Sequence, residues 1–422
     1  MERHGTAAFG APYDPPLLSA LREYASARAY RFHIPGHKGS LPPPLSGAAK
    51  LDFTESAACG NLYSGGGPIR RAEEKAAERF GAAHCLFLTG GATQGVYAML
   101  AAYVPEGGVI YADRACHKSV HHAMAALDIT PRWLARGTIE PFGAPAPLAP
   151  RPLAPAACVF LTTPTYYGTF TSVSGWGLPA IADAAHGAHL GLPRGAAAAV
   201  CSAHKTLPAL GQAAFILTQG EPDLLRYYSS VFGTSSPSYP VMASMDYAVS
   251  ELSEEMWAQT REYAEGLRER HGNIMRGGDP TRLVVYTGSG YAHALRAERE
   301  YGVVCEMADR NNVMFVLTPR DTCESRRALE KALAAMDTPM PPVAEEPAPP
   351  LPKAVMSIRS ALFAPGEPIA PARSAGRVAA RPACPFPPGV PLVAPGELID
   401  EETGERLARA LGEGEYVYCV KE

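Results

Sequence analysis

A lysine enclosed by two short apolar runs is the feature that most constrains this chain. Residues 196–201 and 213–217 are apolar throughout, which predicts two buried strands. The segment between them begins Ser202-Ala203-His204-Lys205-Thr206. An ammonium group near a protein interior is unfavourable unless it is paired, neutralised or used covalently. Lys205 is therefore either an amine that holds an aldehyde cofactor as an imine or a lysine on a solvated turn.

Length and composition limit the class of protein. A chain of 422 residues, 47% hydrophobic, suits one large globular domain and a smaller one. The net charge of −4 and the lack of a basic tract predict neither a nucleic-acid nor a membrane partner. The nine cysteines form no C-x-x-C pair, and the N-terminus lacks an apolar signal core. We therefore expect a cytoplasmic protein without disulfides.

A strand, a small-residue loop and a helix are predicted over residues 84–102. Residues 85–88 form the apolar strand, and the loop that follows reads Thr-Gly-Gly-Ala-Thr-Gln-Gly from residue 89. Unpaired amides at a helix N-terminus bind anions such as phosphate. The loop matches neither the P-loop spacing nor the dinucleotide spacing, so a tight structural connection is the alternative.

A carboxylate and two histidines lie shortly before the lysine. One strand-sized apolar run separates Asp183 from Lys205, which suits two neighbouring strand ends that face one site. His186 and His189 are three residues apart, so a metal site with Asp183 is the alternative. No metal is predicted, because a clear further ligand is missing.

Several motifs, in the right order along the chain, resemble one enzyme family. Residues 202–210 read Ser-x-His-Lys-Thr-Leu-Pro-Ala-Leu, and residues 183–189 read Asp-x-Ala-His-Gly-Ala-His. Further matching motifs lie at residues 32–38, 114–119, 163–168 and 234–239. From about residue 30 to 400, the chain resembles the Orn/Lys/Arg decarboxylases, fold-type-I enzymes that use pyridoxal 5'-phosphate (PLP).

This resemblance implies a role for each candidate site residue. Lys205 would form the imine with PLP, Asp183 would face its ring nitrogen, and His117 would stack on its ring. Ala185 would pack on the opposite ring face, and His186 would contact the phenolate oxygen or the substrate carboxylate. The remaining implied contacts are Ala92, Thr93, Gln94, Ser202, His204 and Ser235 for the cofactor, and Glu306 and Arg359 for the substrate.

The resemblance also implies an α/β fold. We expect a fold-type-I, PLP-dependent transferase-like large domain with a mostly parallel sheet, and a smaller α+β C-terminal domain. The predicted parts are an N-terminal arm (1–50), a PLP-binding large domain (51–270), a small α+β domain (271–340), and a Pro-rich linker with a C-terminal segment (341–422). The patterns further predict one long helix over 241–270, a strand over 302–306 and an extended connector over 137–157.

The implied reaction is decarboxylation of Arg, Lys or Orn to the amine and CO2, a step typical of polyamine biosynthesis, in a homodimer or larger homo-oligomer. The chain departs from the family pattern at Ala92, Ala184 and Ser360, which lack a hydroxyl and two carboxylates usual there, and segments 137–157 and 168–183 are short. Three alternatives stay open: a fold-type-I aminotransferase or other PLP lyase, a catalytically impaired PLP-binding homologue, and a metal hydrolase that uses the histidine pair.

Overall fold

A computed structural model describes residues 12–27, 30–385, 389–412 and 414–421. Residues 1–11 of the predicted N-terminal arm lie outside the described residues. Helices alternate with short strands, as apolar runs punctuated by Gly and Pro predict. In chain order the helices are α1 (Pro16–Ser26), α2 (Ser46–Leu51), α3 (Gly67–Phe80), α4 (Gly91–Tyr103), α5 (Lys118–Ala126), α6 (Ala203–Thr206), α7 (Asp223–Val231), α8 (Tyr239–Ser250), α9 (Glu254–Arg270), α10 (Gly290–Tyr301), α11 (Cys323–Ala334), α12 (Ile358–Phe363) and α13 (Glu401–Ala410).

The strands are short, and those that carry site residues are almost entirely buried. In chain order they are β1 (His84–Leu88), β2 (Val109–Asp113), β3 (Thr130–Leu134), β4 (Thr138–Glu140), β5 (Ala144–Pro145), β6 (Val159–Thr162), β7 (Ala180–Asp183), β8 (Ala198–Ser202), β9 (Ala214–Thr218), β10 (Arg282–Tyr286), β11 (Met307–Ala308), β12 (Asn312–Val316), β13 (Ala344–Glu346), β14 (Gly366–Ile369) and β15 (Val417–Val420).

The described residues form two compact units, and the first comprises the segments up to Ala102, Ile181–Tyr263 and Leu317–Asp321. Its strands lie in the order β1-β9-β8-β7. β7 is parallel to β8, whereas β9 is antiparallel to both β8 and β1. β1, β7 and β8 therefore run in the same direction, and their carboxyl ends lie at one edge of the sheet.

A glycine allows α4 to pack closely against this sheet. A Cβ atom on Gly95 would lie 2.5 Å from Val200 Cγ2 in β8 and 2.8 Å from Leu88 Cδ1 in β1. Such distances are far inside van der Waals contact, so only a residue without a side chain fits. The N-terminus of α4 follows directly on the carboxyl end of β1. It consequently lies at the edge where β7 and β8 also end.

The second unit contains the described residues of Tyr103–Ala180, of Ala264–Val316 and of the part from Thr322 onward. Its strands β6-β2-β3 are parallel neighbours, and β10-β12-β11 form an antiparallel sheet. Its apolar clusters include Phe142, Met275, Val284, Met307 and Met314 in one, and Val393, Ile399, Leu407 and Val417 in the other. The domain boundaries given above stay a prediction.

The predicted α/β class is confirmed, with three corrections. The helix expected over 241–270 is two helices, because Ser253 breaks the run and its Oγ accepts a hydrogen bond from Met256 N at 3.4 Å. Residues 302–306 are not a strand, since Gly302 ends α10 at a φ of 65°. The Pro-rich connector contains the paired strands β4 and β5. Every helix in the described ranges is too short or too polar to cross a bilayer.

Candidate active site

Three strands of the first unit deliver different groups to one edge of the sheet. β1 leads into the Gly90–Gly91 loop, β7 ends at Asp183, and β8 ends at Ser202, shortly before Lys205. Asp183 is in register with Val200 of β8. Ligands of open α/β sheets bind at the carboxyl ends of the strands. The sequence-predicted lysine, carboxylate and loop are therefore brought to a single edge.

Lys205 lies on α6, a single helical turn after β8, and its Nζ is 2.9 Å from His186 Nε2. His186 is buried, whereas Lys205 is exposed. This exposure corrects the expectation of an interior lysine. α6 carries the residue past the last paired position of β8, so the amine lies beyond the sheet. At 2.9 Å the two nitrogens are in hydrogen-bond range, so a proton can pass between them.

Asp183 is only 5% exposed, and its Oδ1 accepts a hydrogen bond from Ala185 N at 3.0 Å. The turn after it is joined to β8 by two backbone bonds, Ala184 N to Val200 O at 2.8 Å and Ser202 N to Ala185 O at 3.3 Å. The backbone therefore holds a buried carboxylate and the small side chain of Ala185 beside β8, the strand that leads to the lysine.

The loop before α4 presents backbone amides. Gly91 has a φ of 73°, which favours glycine, and its N–H donates to Gln212 O at 2.9 Å. The N–H groups of the first helical turn have no acceptor within the helix, and the helix dipole favours an anion there. Ala92 is half-buried and Thr93 is exposed. This helix start suits a phosphate group.

Gln94 supports this loop through both ends of its amide. Its Oε1 accepts a hydrogen bond from Gly90 N at 2.8 Å, and its Nε2 donates to Ser229 O at 2.7 Å. The side chain is buried, and a Cβ atom on Gly233 would collide with its Nε2. Gln94 thus joins the loop to the end of α7, a structural contact that the sequence did not reveal.

The other predicted cofactor contacts of this unit differ in their placement. Ser202 is buried at the end of β8, and His204 is half-buried with its Nδ1 3.0 Å from Ala213 O. Both lie close to Lys205 in the chain, where β8 ends and α6 begins. Ser235 is exposed in the loop between α7 and α8. Its contact with the cofactor stays a prediction.

The second histidine of the i, i+3 pair packs against an aromatic ring. His189 stacks on Trp257 with 4.5 Å between ring centroids, and it is 4% exposed. Among the residues that the structure describes, no group of three or more His, Cys, Asp or Glu side chains could hold a metal ion. A cavity of about 210 Å³ next to Lys205 is also lined by Trp257 and Leu207, so space for a small molecule adjoins the lysine.

In the second unit, His117 follows the end of β2 and is the N-cap of α5. Its Nδ1 accepts a hydrogen bond from Ser119 N at 3.2 Å and lies 2.9 Å from Ser119 Oγ. The side chain is half-buried. Because the cap engages Nδ1, the start of α5 determines how the imidazole ring is oriented.

Glu306, the predicted substrate contact, is paired with a tyrosine. Tyr166 Oη donates to Glu306 Oε1 at 2.9 Å, and Glu306 itself is exposed. Burial, and next the charge of Glu306, raise the pKa of Tyr166 above its ordinary value, so the phenol keeps its proton and remains a donor. The sequence showed Tyr166 only as part of a loop motif. Its position just after β6 was the available signal for a functional residue.

Arg359, the other predicted substrate contact, binds the end of a helix. Its Nη1 donates to Ala125 O and to Ala126 O, both at 3.0 Å, at the C-terminus of α5. Its guanidinium also lies 5.3 Å from the ring centroid of Phe363. A cation at helix carbonyls is a stabilising arrangement, so Arg359 has a structural function, and its substrate contact stays a prediction.

Two family models match the chain. The model for the major domain of the Orn/Lys/Arg decarboxylases covers residues 15–173, and the one for their C-terminal domain covers 351–410. The chain belongs to the Orn/Lys/Arg decarboxylase family. Similar proteins of Bacillus subtilis include the uncharacterized protein YaaO, 29% identical over 94% of each chain, and an arginine decarboxylase, 26% identical over 95% of this chain and 94% of that one.

Solved structures confirm the fold of this decarboxylase. The lysine decarboxylase of Francisella novicida superposes with a TM-score of 0.79 at 16% identity, over 96% of this chain and 81% of that one. A serine palmitoyltransferase of Sphingomonas wittichii superposes with a TM-score of 0.52 at 15% identity, over 79% and 86%. The predicted fold-type-I architecture is confirmed.

The decarboxylase is a PLP-dependent enzyme, and its described residues fit that cofactor. An amine for the aldehyde is offered by Lys205, a buried carboxylate for the ring nitrogen by Asp183, and backbone amides for the phosphate by the start of α4. The common direction of β1, β7 and β8 brings these three groups to the same sheet edge, and the glycine contact packs α4 closely against β1 and β8. The donor set therefore matches the chemistry of PLP.

Proposed function

We propose that this enzyme decarboxylates a basic amino acid, namely arginine, lysine or ornithine, to the corresponding amine and CO2. The observation that carries the proposal is the Lys205–His186 pair at the sheet edge where β7 ends in the buried Asp183. The relative named arginine decarboxylase and the structural neighbour named lysine decarboxylase support a basic substrate. A carboxylate at Glu306, oriented by Tyr166, is what an ammonium or guanidinium side chain requires.

In this proposal the chain's own residues bind the cofactor and move protons. Bound PLP supplies the electron sink that stabilises negative charge at Cα when CO2 leaves. Lys205 provides the amine that binds the cofactor's aldehyde, and His186 takes or returns a proton at Lys205 Nζ. Asp183 would hold the proton on the ring nitrogen. His117 would supply the imidazole that packs against the cofactor ring.

The test is a spectrum of the purified protein with PLP, followed by a panel of amino acids with detection of CO2 and amine. We expect visible absorbance from bound cofactor, and turnover of at least one of arginine, lysine and ornithine. Keto-acid formation without CO2 would instead support an aminotransferase. Absorbance without turnover would support an impaired homologue, which the replacements at Ala92, Ala184 and Ser360 make the second candidate.

Substrate choice is tested at Glu306. The variant Glu306→Gln keeps the size of the side chain and removes its charge. We expect KM for the basic substrate to rise about 10- to 100-fold, because a charged hydrogen-bonded contact contributes about 1.5–3 kcal/mol. Glu298→Gln, on α10 in the same unit, is the control. An unchanged KM in Glu306→Gln would show that the charged side chain of the substrate does not bind Glu306.

We also propose that the enzyme is a cytoplasmic homodimer. The nine cysteines all lie in the described ranges and form no disulfide there, which suits a reducing compartment. Leu224, Tyr227 and Val231 are 59%, 60% and 53% exposed, and they lie on one face of α7. Such an apolar face is typical of a protein interface. Light scattering should show a dimer for the native chain and a monomer for Leu224→Glu/Tyr227→Glu, whereas a monomeric native chain would contradict the proposal.

A further inference from the structure

The turn that carries His117 is bound by the C-terminal part of the second unit. Arg114 Nη2 lies 2.9 Å from Glu397 Oε2, and the two side chains are 8% and 2% exposed. Arg114 also donates to Pro391 O at 2.8 Å and to Leu392 O at 3.1 Å. Arg114 and Glu397 are 283 residues apart in the chain. A single guanidinium therefore binds three acceptors on one distant segment.

This segment, residues 389–397, is here termed the C-terminal clasp, and it contacts the turn on both sides of His117. Besides the contacts of Arg114, Lys118 N donates to Gly389 O at 3.0 Å. The clasp is itself well fixed, because Glu397 Oε2 accepts a hydrogen bond from Ala394 N at 2.7 Å. Gly396 has a φ of 87°, and a Cβ atom there would collide with Met356 O, so only glycine allows this close approach.

Arg114 also connects the clasp to the helix that His117 begins. Its guanidinium lies 5.2 Å from the ring centroid of Trp133, and Trp133 stacks on His121 of α5 at 4.8 Å. Removal of one partner from a buried ion pair is strongly destabilising, because it leaves the other charge buried and uncompensated. Glu397 therefore determines where Arg114 can lie, and Arg114 determines the position of the turn and of α5.

We propose that Glu397 is a positioning residue for His117, so that the C-terminal part of the second unit supports a residue of the proposed cofactor site. The clasp binds the guanidinium of Arg114, and Arg114 in turn fixes the position of the turn. The turn then determines where the imidazole of His117 lies. This inference rests on the proposed contact between His117 and PLP. It gives the C-terminal domain a function in cofactor binding that its place at the far end of the chain does not suggest.

The test compares Glu397→Gln with Glu367→Gln in the full chain. Glu367 forms a 2.7 Å ion pair with Arg377, also in the C-terminal part, with side chains 37% and 18% exposed, so it is a matched control. In the cofactor-free protein, hydrogen exchange of residues 113–120 should accelerate in Glu397→Gln alone. PLP titration should show a dissociation constant raised about tenfold, by analogy with the loss of an outer-shell partner at a metal site, and unchanged in the control.

A double variant separates positioning from general destabilisation. On a His117→Ala background, Glu397→Gln should leave the PLP dissociation constant unchanged, because the residue through which it acts is gone. Glu397→Asp keeps the charge and should restore most of the PLP affinity. If Glu397→Gln fails to fold, Glu397→Asp takes its place in the comparison with the control. An unchanged PLP affinity in folded Glu397→Gln, or equal losses with and without His117, would overturn the inference. These readouts need no substrate, so a failed decarboxylase assay would count only against the proposed function.

Discussion

The two units place their site residues by different physical means. In the first unit, Lys205, Asp183 and the α4 loop are placed by strand ends, by backbone hydrogen bonds and by the close approach at Gly95. In the second unit, the turn that carries His117 is placed by buried ion pairs, Asp113 with Arg136 and Arg114 with Glu397. The first unit therefore positions its site residues through backbone geometry, whereas the second unit does so through buried charges.

The difference follows from what each group has to do. In the proposed mechanism, Lys205 forms and releases a covalent bond and needs a partner that exchanges protons, and the nearby imidazole of His186 suits that role. The proposed role of His117, packing against a cofactor ring, needs a fixed orientation, and buried arginines with several acceptors provide rigidity. The proposal thus assigns the reactive groups to the first unit and a supporting ring to the second.

The largest expected effect concerns the amine. Lys205→Ala should lower the rate of decarboxylation by about 1,000-fold or more, because the group that we propose acts covalently is lost, and the visible absorbance of bound PLP should disappear. Lys75→Ala is the control, since Lys75 is exposed and forms a surface pair with Glu78 at 2.9 Å. Retained activity in Lys205→Ala would show that the reaction does not depend on this amine. The contrast drawn between the two units would then be wrong.

The next effect concerns the buried charges of the second unit. Arg136→Met leaves the Asp113 carboxylate, which is 0% exposed, without the guanidinium that binds both of its oxygens. We expect the free energy of unfolding to fall by about 3–5 kcal/mol. Arg296→Met breaks the exposed pair with Glu300 and should change stability by less than about 1 kcal/mol. Equal effects in urea denaturation would show that buried charge does not stabilise this unit.

A buried carboxylate in the first unit sharpens the comparison, because backbone amides bind it. Asp246 Oδ2 accepts hydrogen bonds from Leu17 N at 2.7 Å and from Leu18 N at 3.0 Å. Burial raises the pKa of Asp246 from 3.8 to about 6. The folded protein therefore binds this proton more tightly than the unfolded chain does. Its contribution to stability is greatest below pH about 4, declines as the pH rises, and levels off above pH about 6.

Asp246→Asn should remove this pH dependence, because an amide does not titrate. Between pH 4 and pH 7, the difference in unfolding free energy between the variant and the native chain should change by about 3 kcal/mol in favour of the variant. Urea denaturation at several pH values measures this difference. A difference that stays constant over that range would mean that the carboxylate titrates at its ordinary pKa.

The smallest expected effect concerns the support of the phosphate loop. Gln94→Ala removes two hydrogen bonds to backbone groups and should weaken PLP binding by about tenfold, since each bond contributes about 0.5–1.5 kcal/mol. Gln219→Ala removes a comparable amide contact, from Nε2 to Gly81 O at 2.9 Å on the surface, and should leave PLP binding unchanged. Equal PLP affinity in both variants would show that the loop needs no support from α7.

Local patterns predicted the elements well and their interruptions poorly. Apolar runs correctly indicated β1, β8 and β9, and the small-residue loop correctly preceded α4. The break at Ser253 was missed, because a serine that caps one helix looks like an ordinary polar position in a longer one. The strand expected over 302–306 was wrong, because its apolar residues follow a helix-ending glycine and pairing starts only at β11.

The sequence by itself determined the lysine between two strands, the carboxylate one strand away, and a family resemblance that implied the α/β class. The lysine and the carboxylate lie close together in the chain, and their spacing reflects the geometry of strands and turns. Only the tertiary structure decided that Lys205 is exposed and paired with His186, that Tyr166 orients Glu306, and that Arg114 binds Glu397. Such contacts join residues far apart in the chain, and their geometry exists only after the backbone has folded.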